Sequence, residues 1–345
     1  MSTVHATEIV LPGTVDPDGL LITTRELPAP AAGQVLVTVE ASGVSFAEQQ
    51  MRRGKYYDQP PFPFVPGYDL VGIVAAAGAS VDPALIGQRV AALTKIGGWS
   101  SHILLDAADV VPVPVGLGAA EAETLVVNGI TAWQMLHRTA AVPRGATILV
   151  HGANGGVGST LVQLARAAGI RVLGTASPRN RAAVEALGAS WIDYRGDVAA
   201  EVRALAPGGV DAVFDHIGGP GIVDSFRLLA PGGTLVSYGT ASTRDDAGDS
   251  RLPVLKLFAR LLWWNALPNR RHAHFFNIWA GKRNAGRFRH RIAEDLGSVF
   301  ALAVHGTLRP QVAARIPLTE AARAMALAES GTVTGKVVLV QSLDA

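Results

Sequence analysis

Four glycines lie between Val150 and Ser159, directly after an apolar run and directly before an alanine-rich stretch. Because Gly152, Gly155 and Gly158 have no side chain, the backbone can turn sharply, approach a pyrophosphate and bring a helix against a strand. The N-terminus of the following helix offers free N–H groups to an anion, so the backbone rather than a lysine meets the phosphate charge. The run therefore predicts a dinucleotide-binding turn.

The residues around the glycine run support this prediction. The pattern predicts a strand over Thr147–Val150, a helix over Thr160–Ala168 and a second strand over Arg171–Thr175, which together form a βαβ unit of about thirty residues. Gly169 follows the helix and accepts the left-handed conformation of a C-terminal cap. The alternative is a glycine-rich surface loop between unrelated elements. A P-loop is excluded, because no lysine precedes Ser159.

The residues after the second predicted strand indicate which dinucleotide binds. NAD sites place an acidic residue there to hold the ribose 2′-hydroxyl, yet no Asp or Glu occurs between Gly152 and Val184. Instead Ser177 offers a hydrogen bond, and Arg179 or Arg181 offers a permanently charged, bidentate contact to a 2′-phosphate. These residues predict NADPH as the cofactor. The alternative is a solvated basic helix start with no ligand.

Composition narrows the class of protein. At 345 residues, 49% of them hydrophobic, the chain is long enough for two domains with a core each. It has no cysteine, which excludes disulfides, thiolate chemistry and zinc sites built on cysteine. A formal net charge of +2 argues against general nucleic-acid binding. With no secretory signal and no apolar span of roughly twenty residues, we expect a cytoplasmic protein that acts on a small molecule.

The basic residues are unevenly distributed. From Arg251 to Arg291 there is no Asp or Glu but ten Lys and Arg residues, and the segment Leu257–Trp264 between them is apolar and aromatic. Such a segment is compatible with an amphipathic element on an anionic membrane surface. A lid or subunit-contact helix with solvated arginines is the favoured alternative.

The type and order of the predicted secondary-structure elements change along the chain. Residues up to about Val126 carry short β-type runs separated by glycine and proline turns, which is typical of a compact β-rich domain. From Ala146, strands alternate with helices in the order typical of a doubly wound parallel sheet of six strands, an α/β fold with its ligand crevice at the strand C-termini. The other predicted strands are Gln34–Val39, Leu70–Ala75, Arg89–Leu93, His102–Leu105, Trp191–Tyr194, Val210–Asp215, Thr234–Tyr238, His274–Trp279 and Gly335–Val340, with a helix over Glu320–Glu329.

Stretches along nearly the whole chain resemble the medium-chain dehydrogenase/reductase superfamily, and within it the zinc-independent quinone oxidoreductase-like group that includes the vesicle amine transport protein relatives. The matching stretches are Gly43–Glu48, Arg52–Tyr56, Phe64–Asp69, Gly87–Val90, the glycine run, Pro231–Gly233, Glu329–Gly331 and Gly335–Lys336. The resemblance implies a GroES-like domain at residues 1–126, a Rossmann NADPH-binding domain at 127–281 and a segment at 282–345 that returns to the first domain. It also implies a homodimer formed through the last Rossmann strand.

The resemblance further allows the metal positions of related zinc dehydrogenases to be checked. Ser45 stands where their first cysteine would, Tyr68 where a histidine would, and Asn128 where the last ligand would, and none of these is a credible zinc ligand. Without a metal ion as Lewis acid, the alkoxide that forms in alcohol oxidation is not stabilised. We therefore expect a substrate with a conjugated double bond rather than an alcohol. Negative charge then develops on a carbonyl oxygen, which needs hydrogen-bond donors and finally a proton.

The resemblance assigns roles residue by residue. Tyr56 is similar to the proposed proton-donating tyrosine of mitochondrial enoyl reductases, and Ser45 and Tyr68 are expected to donate to the carbonyl. The plain alternatives are that Tyr56 only lines the site and that Ser45 only caps a turn. The expected cofactor residues are Gly152, Gly155, Gly156 and Val157 at the pyrophosphate, Ser177, Arg179, Arg181 and Tyr194 at the 2′-phosphate, and Asn128, Thr131, Ile217, Tyr238, Gly239 and Thr240 at the ribose and nicotinamide.

Three functions follow. The first is an NADPH-dependent, metal-independent reductase of quinones or α,β-unsaturated carbonyl compounds. The second shares this chemistry but narrows the substrate to that of an enoyl reductase that tailors a polyketide or other secondary metabolite. The third is a nucleotide-binding, membrane-associated adaptor that uses the basic segment from Arg251 to Arg291.

Overall fold

The computed structural model describes residues 3–239, 241–243 and 251–341, and for residues 243 and 251–254 it describes the backbone alone. The described residues form two compact units. The first contains the residues up to Ile130 and those from Gly281 onwards, and the second runs from Thr131 to Ala280. From the sequence, we expect the chain to change domain after residues 126 and 281.

The N-terminal part of the first unit is mostly β-structure. Its strands are Val4–Val10 (β1), Leu21–Leu27 (β2), Gln34–Val44 (β3), Asp69–Ala77 (β4), Arg89–Leu93 (β5), His102–Asp106 (β6) and Val110–Pro112 (β7), and its helices are Phe46–Arg52 (α1) and Ala119–Leu125 (α2). The next helix, Val127–Trp133 (α3), begins in the first unit and ends in the second. Alternate residues Val35, Val37 and Val39 of β3 pack with Leu70 and Val74 of β4, as the two-residue period of a strand requires. This packing fixes β3 in the centre of the sheet.

The second unit alternates strands with helices. Its strands are Thr147–Val150 (β8), Arg171–Ala176 (β9), Ser190–Asp193 (β10), Val210–Asp215 (β11), Leu229–Ser237 (β12) and His272–Phe275 (β13), and its helices are Gly156–Ala167 (α4), Arg181–Ala186 (α5), Val198–Leu205 (α6), Ile222–Arg227 (α7) and Arg251–Ala266 (α8). A six-residue π-helix, Gln134–Thr139, continues α3.

The six strands form one parallel sheet in the order β10-β9-β8-β11-β12-β13. This is the doubly wound Rossmann order, with its switch point between β8 and β11. Leu149, Leu173, Ile192, Val213 and Leu235, one from each of the first five strands, are fully buried in one cluster. The predicted fold class is therefore confirmed.

The chain then returns to the first unit through Ala285–Val304 (α9), Val312–Pro317 (β14), Ala321–Glu329 (α10) and Lys336–Val340 (β15). Strand β15 pairs parallel with β14 and antiparallel with β3, so residues near position 340 complete the sheet that the first hundred residues begin. The sheet order is β14-β15-β3-β4-β5-β7, with β6 also paired to β3.

The observed elements differ from the predicted ones at several ends. Helix α4 begins at Gly156 rather than Thr160, so two glycines of the run lie in its first turn. Strand β3 continues from Val39 to Val44, because a register shift between Val39 and Ala41 lets it bend and keep pairing with β4. The last Rossmann strand is His272–Phe275 rather than His274–Trp279, and the β1–β2 hairpin was not predicted.

The apolar segment of the basic region lies in helix α8. Leu257 and Leu261 are buried in the core of the second unit, and Trp264 stacks on Phe226 with ring centroids 4.1 Å apart. Within the described part of the chain, no helix combines the length and the hydropathy needed to cross a bilayer.

Candidate functional site

The glycine run forms the turn from β8 into α4. Gly152 has a φ of +65°, in the left-handed region that favours glycine, and a Cβ there would lie 2.4 Å from Cε1 of His216. A Cβ on Gly158 would lie 2.1 Å from the carbonyl oxygen of Gly152. Both positions therefore require glycine for reasons of protein packing alone.

Gly155 differs from these two glycines, because the protein leaves space beside it. Among the described residues, a Cβ on Gly155 would meet only the carbonyl oxygen of Gly152 within 4 Å, at an ordinary distance of 3.4 Å. Helix α4 begins at Gly156, and Val157 lies in its first turn, where backbone N–H groups lack an intrahelical acceptor. The predicted pyrophosphate residues thus lie together at a helix N-terminus, a place that binds anions.

A buried hydrogen-bond network lies beside this turn and was not predicted from the sequence. The His151 ring has Nδ1 3.2 Å from Thr175 Oγ1 and Nε2 3.1 Å from Ser225 Oγ. Thr175 Oγ1 accepts from the Gly152 N–H at 3.2 Å, and Ser225 donates to Asp215 at 2.7 Å. Burial lowers the pKa of His151, and a neutral imidazole protonated on Nε2 satisfies every partner. The network ties the ends of β8, β9 and β11 to the glycine turn.

The ends of β11 and β12 carry the residues expected at the ribose and nicotinamide. The backbone N–H of Ile217 donates to the Asp215 carboxylate at 2.7 Å, and that of Tyr238 donates to the Asp215 carbonyl at 2.9 Å. Burial, reinforced by the charge of Asp215, raises the pKa of the Tyr238 phenol. Gly239 follows directly, and Thr240 lies outside the described residues. Asp215 therefore holds both strand ends in place.

The residues expected at the 2′-phosphate follow β9 and β10. They are Ser177, Arg179, Arg181 and Tyr194. Ser177 precedes a short 3₁₀ helix, and its Oγ accepts from the Asn180 amide at 3.2 Å. The Arg181 guanidinium donates to Glu185 at 2.9 Å and lies over the Trp191 ring, 5.0 Å from its centroid. Because the Arg181–Glu185 pair is exposed, it costs little to rearrange around a stronger anion.

Two further expected cofactor residues lie on helix α3. Asn128 and Thr131 are three residues apart, about one helical turn, and both side chains are buried.

The first unit holds a pair of buried tyrosines. The hydroxyl oxygens of Tyr56 and Tyr68 lie 2.8 Å apart, and their rings meet edge to face with centroids 6.3 Å apart. Tyr57 packs beside Tyr56 with a centroid distance of 4.7 Å. Burial and the neighbouring tyrosines raise the pKa of Tyr56 far above its usual value. The phenol of Tyr56 therefore stays protonated at all physiological pH values and is a hydrogen-bond donor.

Glu48 connects Ser45 with Tyr68. Ser45 caps helix α1 in a capping box with Glu48: the Ser45 N–H lies 3.0 Å from Glu48 Oε2, and the two side chains are also in contact. Glu48 Oε1 accepts from the backbone N–H of Tyr68 at 2.6 Å. Glu48 was not among the predicted site residues, although the pattern Ser-x-x-Glu that marks a capping box was visible in the sequence.

A second buried group of charges lies next to Glu48. The Lys336 ammonium donates to both carboxylate oxygens of Asp69, at 3.0 and 2.7 Å, and to Glu123 at 2.7 Å. Asp69 also accepts from the backbone N–H of Val127. Burial and Asp69 raise the pKa of Glu123 well above its usual value, although Lys336 opposes the rise. Lys336 thus joins the end of the chain to strand β4 and helix α2.

The residues at the zinc positions of related dehydrogenases do not fit a catalytic zinc. Ser45 contacts Glu48 and the Tyr68 hydroxyl bonds to Tyr56, so both oxygens are engaged with protein groups. Asn128 offers a neutral amide, whereas zinc in proteins prefers thiolate, imidazole or carboxylate. Across the described residues, no three His, Asp or Glu side chains are grouped so that they could hold a metal ion.

Family models match most of the chain. Residues 31–115 match the alcohol dehydrogenase GroES-like domain, and residues 187–339 match a model described as zinc-binding dehydrogenase. The first match lies in the β-rich unit, and the second covers most of the Rossmann sheet and the strands that follow it.

Two relatives show the range of proteins that contain this sequence pattern. The chain is 32% identical over 324 residues to the human synaptic vesicle membrane protein VAT-1 homolog, covering 91% of this chain and 80% of that protein. It is 32% identical over 317 residues to the phthioceranic/hydroxyphthioceranic acid synthase of Mycobacterium tuberculosis. That alignment covers 90% of this chain but 14% of the synthase, so the pattern also occurs as one part of a much larger protein.

Solved structures share the fold. A mycobacterial protein solved as a complex with NADPH has a TM-score of 0.82 at 28% identity, covering 97% of this chain and 99% of that one. A quinone oxidoreductase from Pseudomonas syringae has a TM-score of 0.84 at 28% identity over the same shares. The chain belongs to the quinone oxidoreductase-like group of the medium-chain dehydrogenase/reductase superfamily and is an oxidoreductase of that superfamily.

Proposed function

We propose that the protein is an NADPH-dependent reductase that transfers hydride to a quinone or to the C=C bond of an α,β-unsaturated carbonyl compound, without a metal ion. The observation that carries the proposal is the set of hydroxyl groups of Ser45, Tyr56 and Tyr68. By the family resemblance, Ser45 and Tyr68 stand where related dehydrogenases carry metal-binding side chains. A reaction that builds negative charge on a carbonyl oxygen needs donors of this kind when no Lewis acid is present.

Each of these hydroxyls has a role in the proposed reaction. NADPH supplies the hydride when it is bound. Ser45 and Tyr68 donate hydrogen bonds to the carbonyl oxygen as it gains negative charge, and Glu48 positions both because it contacts Ser45 and the backbone of Tyr68. Tyr56 then gives its hydroxyl proton to the α-carbon of an enone or to an oxygen of a quinone and regains a proton from water.

The second unit supplies the proposed nucleotide site. Gly155, Gly156 and Val157 at the start of α4 are assigned to the pyrophosphate, and Ser177, Arg179, Arg181 and Tyr194 to the adenosine 2′-phosphate. Asn128, Thr131, Ile217, Tyr238, Gly239 and Thr240 are assigned to the ribose and nicotinamide. The assignment is supported by the similar mycobacterial structure that was solved with NADPH.

The test is a screen of the purified protein for NADPH oxidation with a panel of quinones, enals and enones. We expect turnover with at least one acceptor and a higher kcat/KM for NADPH than for NADH. The proposal is wrong if no acceptor is reduced, if NADH is preferred, or if activity requires a stoichiometric metal ion at Ser45, Tyr68 or Asn128.

A narrower substrate is a second candidate. The similarity to the mycobacterial acid synthase supports an enoyl reductase that tailors a polyketide or other secondary metabolite. The chemistry at Tyr56 would be the same. Parallel assays with a free enone and an enoyl thioester distinguish the two: a kcat/KM for the thioester at least about tenfold higher supports this candidate.

Membrane attachment is a third candidate, and helix α8 favours it. The side chains of Leu255, Leu262 and Trp263 are 62%, 70% and 63% exposed, while Lys256 lies beside them. A helix with an exposed apolar face, a tryptophan and nearby cations can lie in the interface of an anionic bilayer. The relative named as a synaptic vesicle membrane protein is consistent with this role.

Flotation with vesicles of anionic or of neutral lipid tests this candidate. We expect anionic vesicles to carry the protein, and the double variant Leu262→Gln/Trp263→Gln to remain unbound. Val115→Gln changes an even more exposed apolar residue of the other unit and serves as the control. Equal binding of all three proteins, or none, contradicts membrane attachment through α8.

We also propose a homodimer formed through strand β13. Among the described residues this strand is the last in the sheet order, where a second copy can add its own β13. The Asn265 side chain bonds the N–H and C=O of Ala273 in this strand, so such pairing has to displace it. Light scattering coupled to size-exclusion chromatography measures the mass directly, and a monomer at micromolar concentration contradicts the proposal.

A further inference from the structure

Glu48 has contacts that the proposed reaction does not fully use. Its side chain is completely buried in the first turn of α1. Oε1 accepts from the backbone N–H of Tyr68 at 2.6 Å, and Oε2 accepts from the backbone N–H of Ser45 at 3.0 Å. Oε2 also contacts the hydroxyl of Ser45. This last contact differs from the other two, because a hydroxyl can either donate or accept.

The charges around Glu48 do not balance. The charged groups that face it are Asp69 on β4 and Lys336 on β15. Lys336 gives its hydrogen bonds to Asp69 and Glu123, so three buried carboxyl groups share one ammonium. The side chain of Glu48 itself contacts backbone N–H groups and a hydroxyl among the described residues, and no ammonium or guanidinium.

Such surroundings favour the neutral form of a carboxyl group. A buried carboxylate without a cation in contact is costly, and the group takes up a proton instead. Burial, reinforced by the charge of Asp69, raises the pKa of Glu48, while the Ser45 contact and Lys336 oppose the rise.

We propose that Glu48 is a neutral carboxylic acid that donates from Oε2 to Ser45 Oγ and so directs the single hydroxyl hydrogen of Ser45 toward the substrate carbonyl oxygen. The inference rests on the proposed reductase function. An ionised Glu48 would instead accept the Ser45 hydrogen and leave the substrate oxygen without this donor. Glu48 is therefore a positioning residue that acts through Ser45, and no bond to its proton breaks during turnover.

The pH dependence of kcat/KM follows from this arrangement. The wild-type value is high while Glu48 is neutral and falls by about tenfold per pH unit above the raised pKa, because the ionised form takes the Ser45 hydrogen. Glu48→Gln presents an amide N–H to Ser45 Oγ and does not ionise, at the cost of one backbone hydrogen bond. We expect it to keep at least about a tenth of the wild-type kcat/KM and to lose the alkaline fall.

Two further variants complete the comparison. Glu48→Ala leaves Ser45 without an orienting partner, so we expect kcat/KM to fall about 10²-fold at every pH. Glu123→Gln changes a buried carboxyl group that does not touch Ser45. We therefore expect the kcat/KM of this variant to fall at alkaline pH as the wild-type value does. The inference is overturned if Glu48→Gln is as impaired as Glu48→Ala, or if it keeps the wild-type pH profile.

An infrared measurement tests Glu48 independently of turnover. The difference spectrum of wild-type protein minus Glu48→Gln at neutral pH should contain the C=O band of a protonated carboxylic acid. If Glu48→Gln does not fold, Ser45→Ala should shift that band, because the acid loses its acceptor. If the difference spectrum contains carboxylate bands alone, the inference about Glu48 is overturned, whether or not any acceptor is reduced. If it contains a carboxylic acid band but the protein reduces no acceptor, Glu48 is neutral and the proposed function is contradicted.

Discussion

At the scale of single residues, the proposed chemistry depends on which hydrogen each hydroxyl can release. Tyr56 and Tyr68 share one hydrogen bond, which has to break before both phenols can donate to a substrate. The high pKa of Tyr56 keeps its proton in place until negative charge develops next to it. Tyr57 touches the same ring but is 42% exposed, which makes it a suitable comparison.

Tyr56→Phe removes the proposed proton donor and keeps the ring. We expect kcat to fall about 10²-fold or more, because general acid catalysis typically contributes that much, while the Kd of NADPH stays unchanged. Steady-state kinetics with the best acceptor and fluorescence titration of NADPH measure the two effects. Tyr57→Phe removes a phenol that hydrogen-bonds with Tyr56 but leaves the proposed donor in place, so its loss of kcat should be smaller. Full turnover by Tyr56→Phe would remove Tyr56 from the mechanism.

The two arginines after β9 decide the choice of nucleotide in this proposal. In the double variant Arg179→Ala/Arg181→Ala, we expect the KM for NADPH to rise about 10- to 100-fold, because charge-assisted hydrogen bonds to the 2′-phosphate are lost. The KM for NADH should not change. The double variant Arg203→Ala/Arg227→Ala, which changes two exposed arginines of helices α6 and α7, controls for net charge. Equal effects on both nucleotides would place the 2′-phosphate elsewhere.

At the scale of elements, the glycines of the β8–α4 turn serve two different purposes. Gly158 keeps the backbone of α4 against the carbonyl of Gly152, and a side chain cannot fit there. Gly155 has room for a methyl group in the protein itself. We propose that a bound ligand, rather than packing, explains its lack of a side chain.

Gly158→Ala and Gly155→Ala separate these purposes. We expect Gly158→Ala to lower the free energy of unfolding of the second unit by about 1–3 kcal/mol, because a methyl group must displace backbone atoms. Gly155→Ala should keep the wild-type Tm and bind NADPH more weakly. Thermal unfolding and nucleotide titration measure the two variants, and a destabilised Gly155→Ala would contradict the assignment.

At the scale of the whole molecule, the first unit needs both ends of the chain. Strand β15 pairs Val337–Val340 with Ala41–Val44 of β3, and Lys336 neutralises carboxylates on β4 and α2. The ammonium and both carboxyl groups are buried, so each depends on the others to avoid an unpaired charge.

Lys336→Met should therefore destabilise the first unit by about 3–5 kcal/mol at neutral pH, the usual effect of removing one partner of a buried ion pair. The raised pKa of Glu123 in the folded protein gives the sign of the pH dependence. The contribution of Glu123 to the free energy of unfolding is fully present below the ordinary pKa of a glutamate, and it is lost as the pH rises through the raised pKa of the folded protein. Urea unfolding should show a larger defect at about pH 8 than at about pH 5. A defect that is equal at both values, or smaller at the higher one, contradicts this account.

The local patterns of the sequence determined the turn, the strands around it and the alternation that makes a parallel sheet. These features depend on backbone sterics and on hydrogen bonds between residues close in sequence. The run from Thr147 to Thr175 therefore indicates them without reference to residues elsewhere in the chain. The matching stretches near Ser45, Tyr56 and Tyr68 likewise indicated which residues to inspect. The capping pair of Ser45 and Glu48 was also local and could have been found.

Only the tertiary structure decided which polar groups pair in the interior. Lys336 meets Asp69 across 267 positions of the chain, and His151 meets Ser225 across 74. No local pattern indicates such contacts, because what selects them is the cost of burying a charge or a polar group without a partner once the whole unit is packed. The same packing turned Leu262 and Trp263 outward on α8 and buried Glu48 without a cation in contact among the described residues.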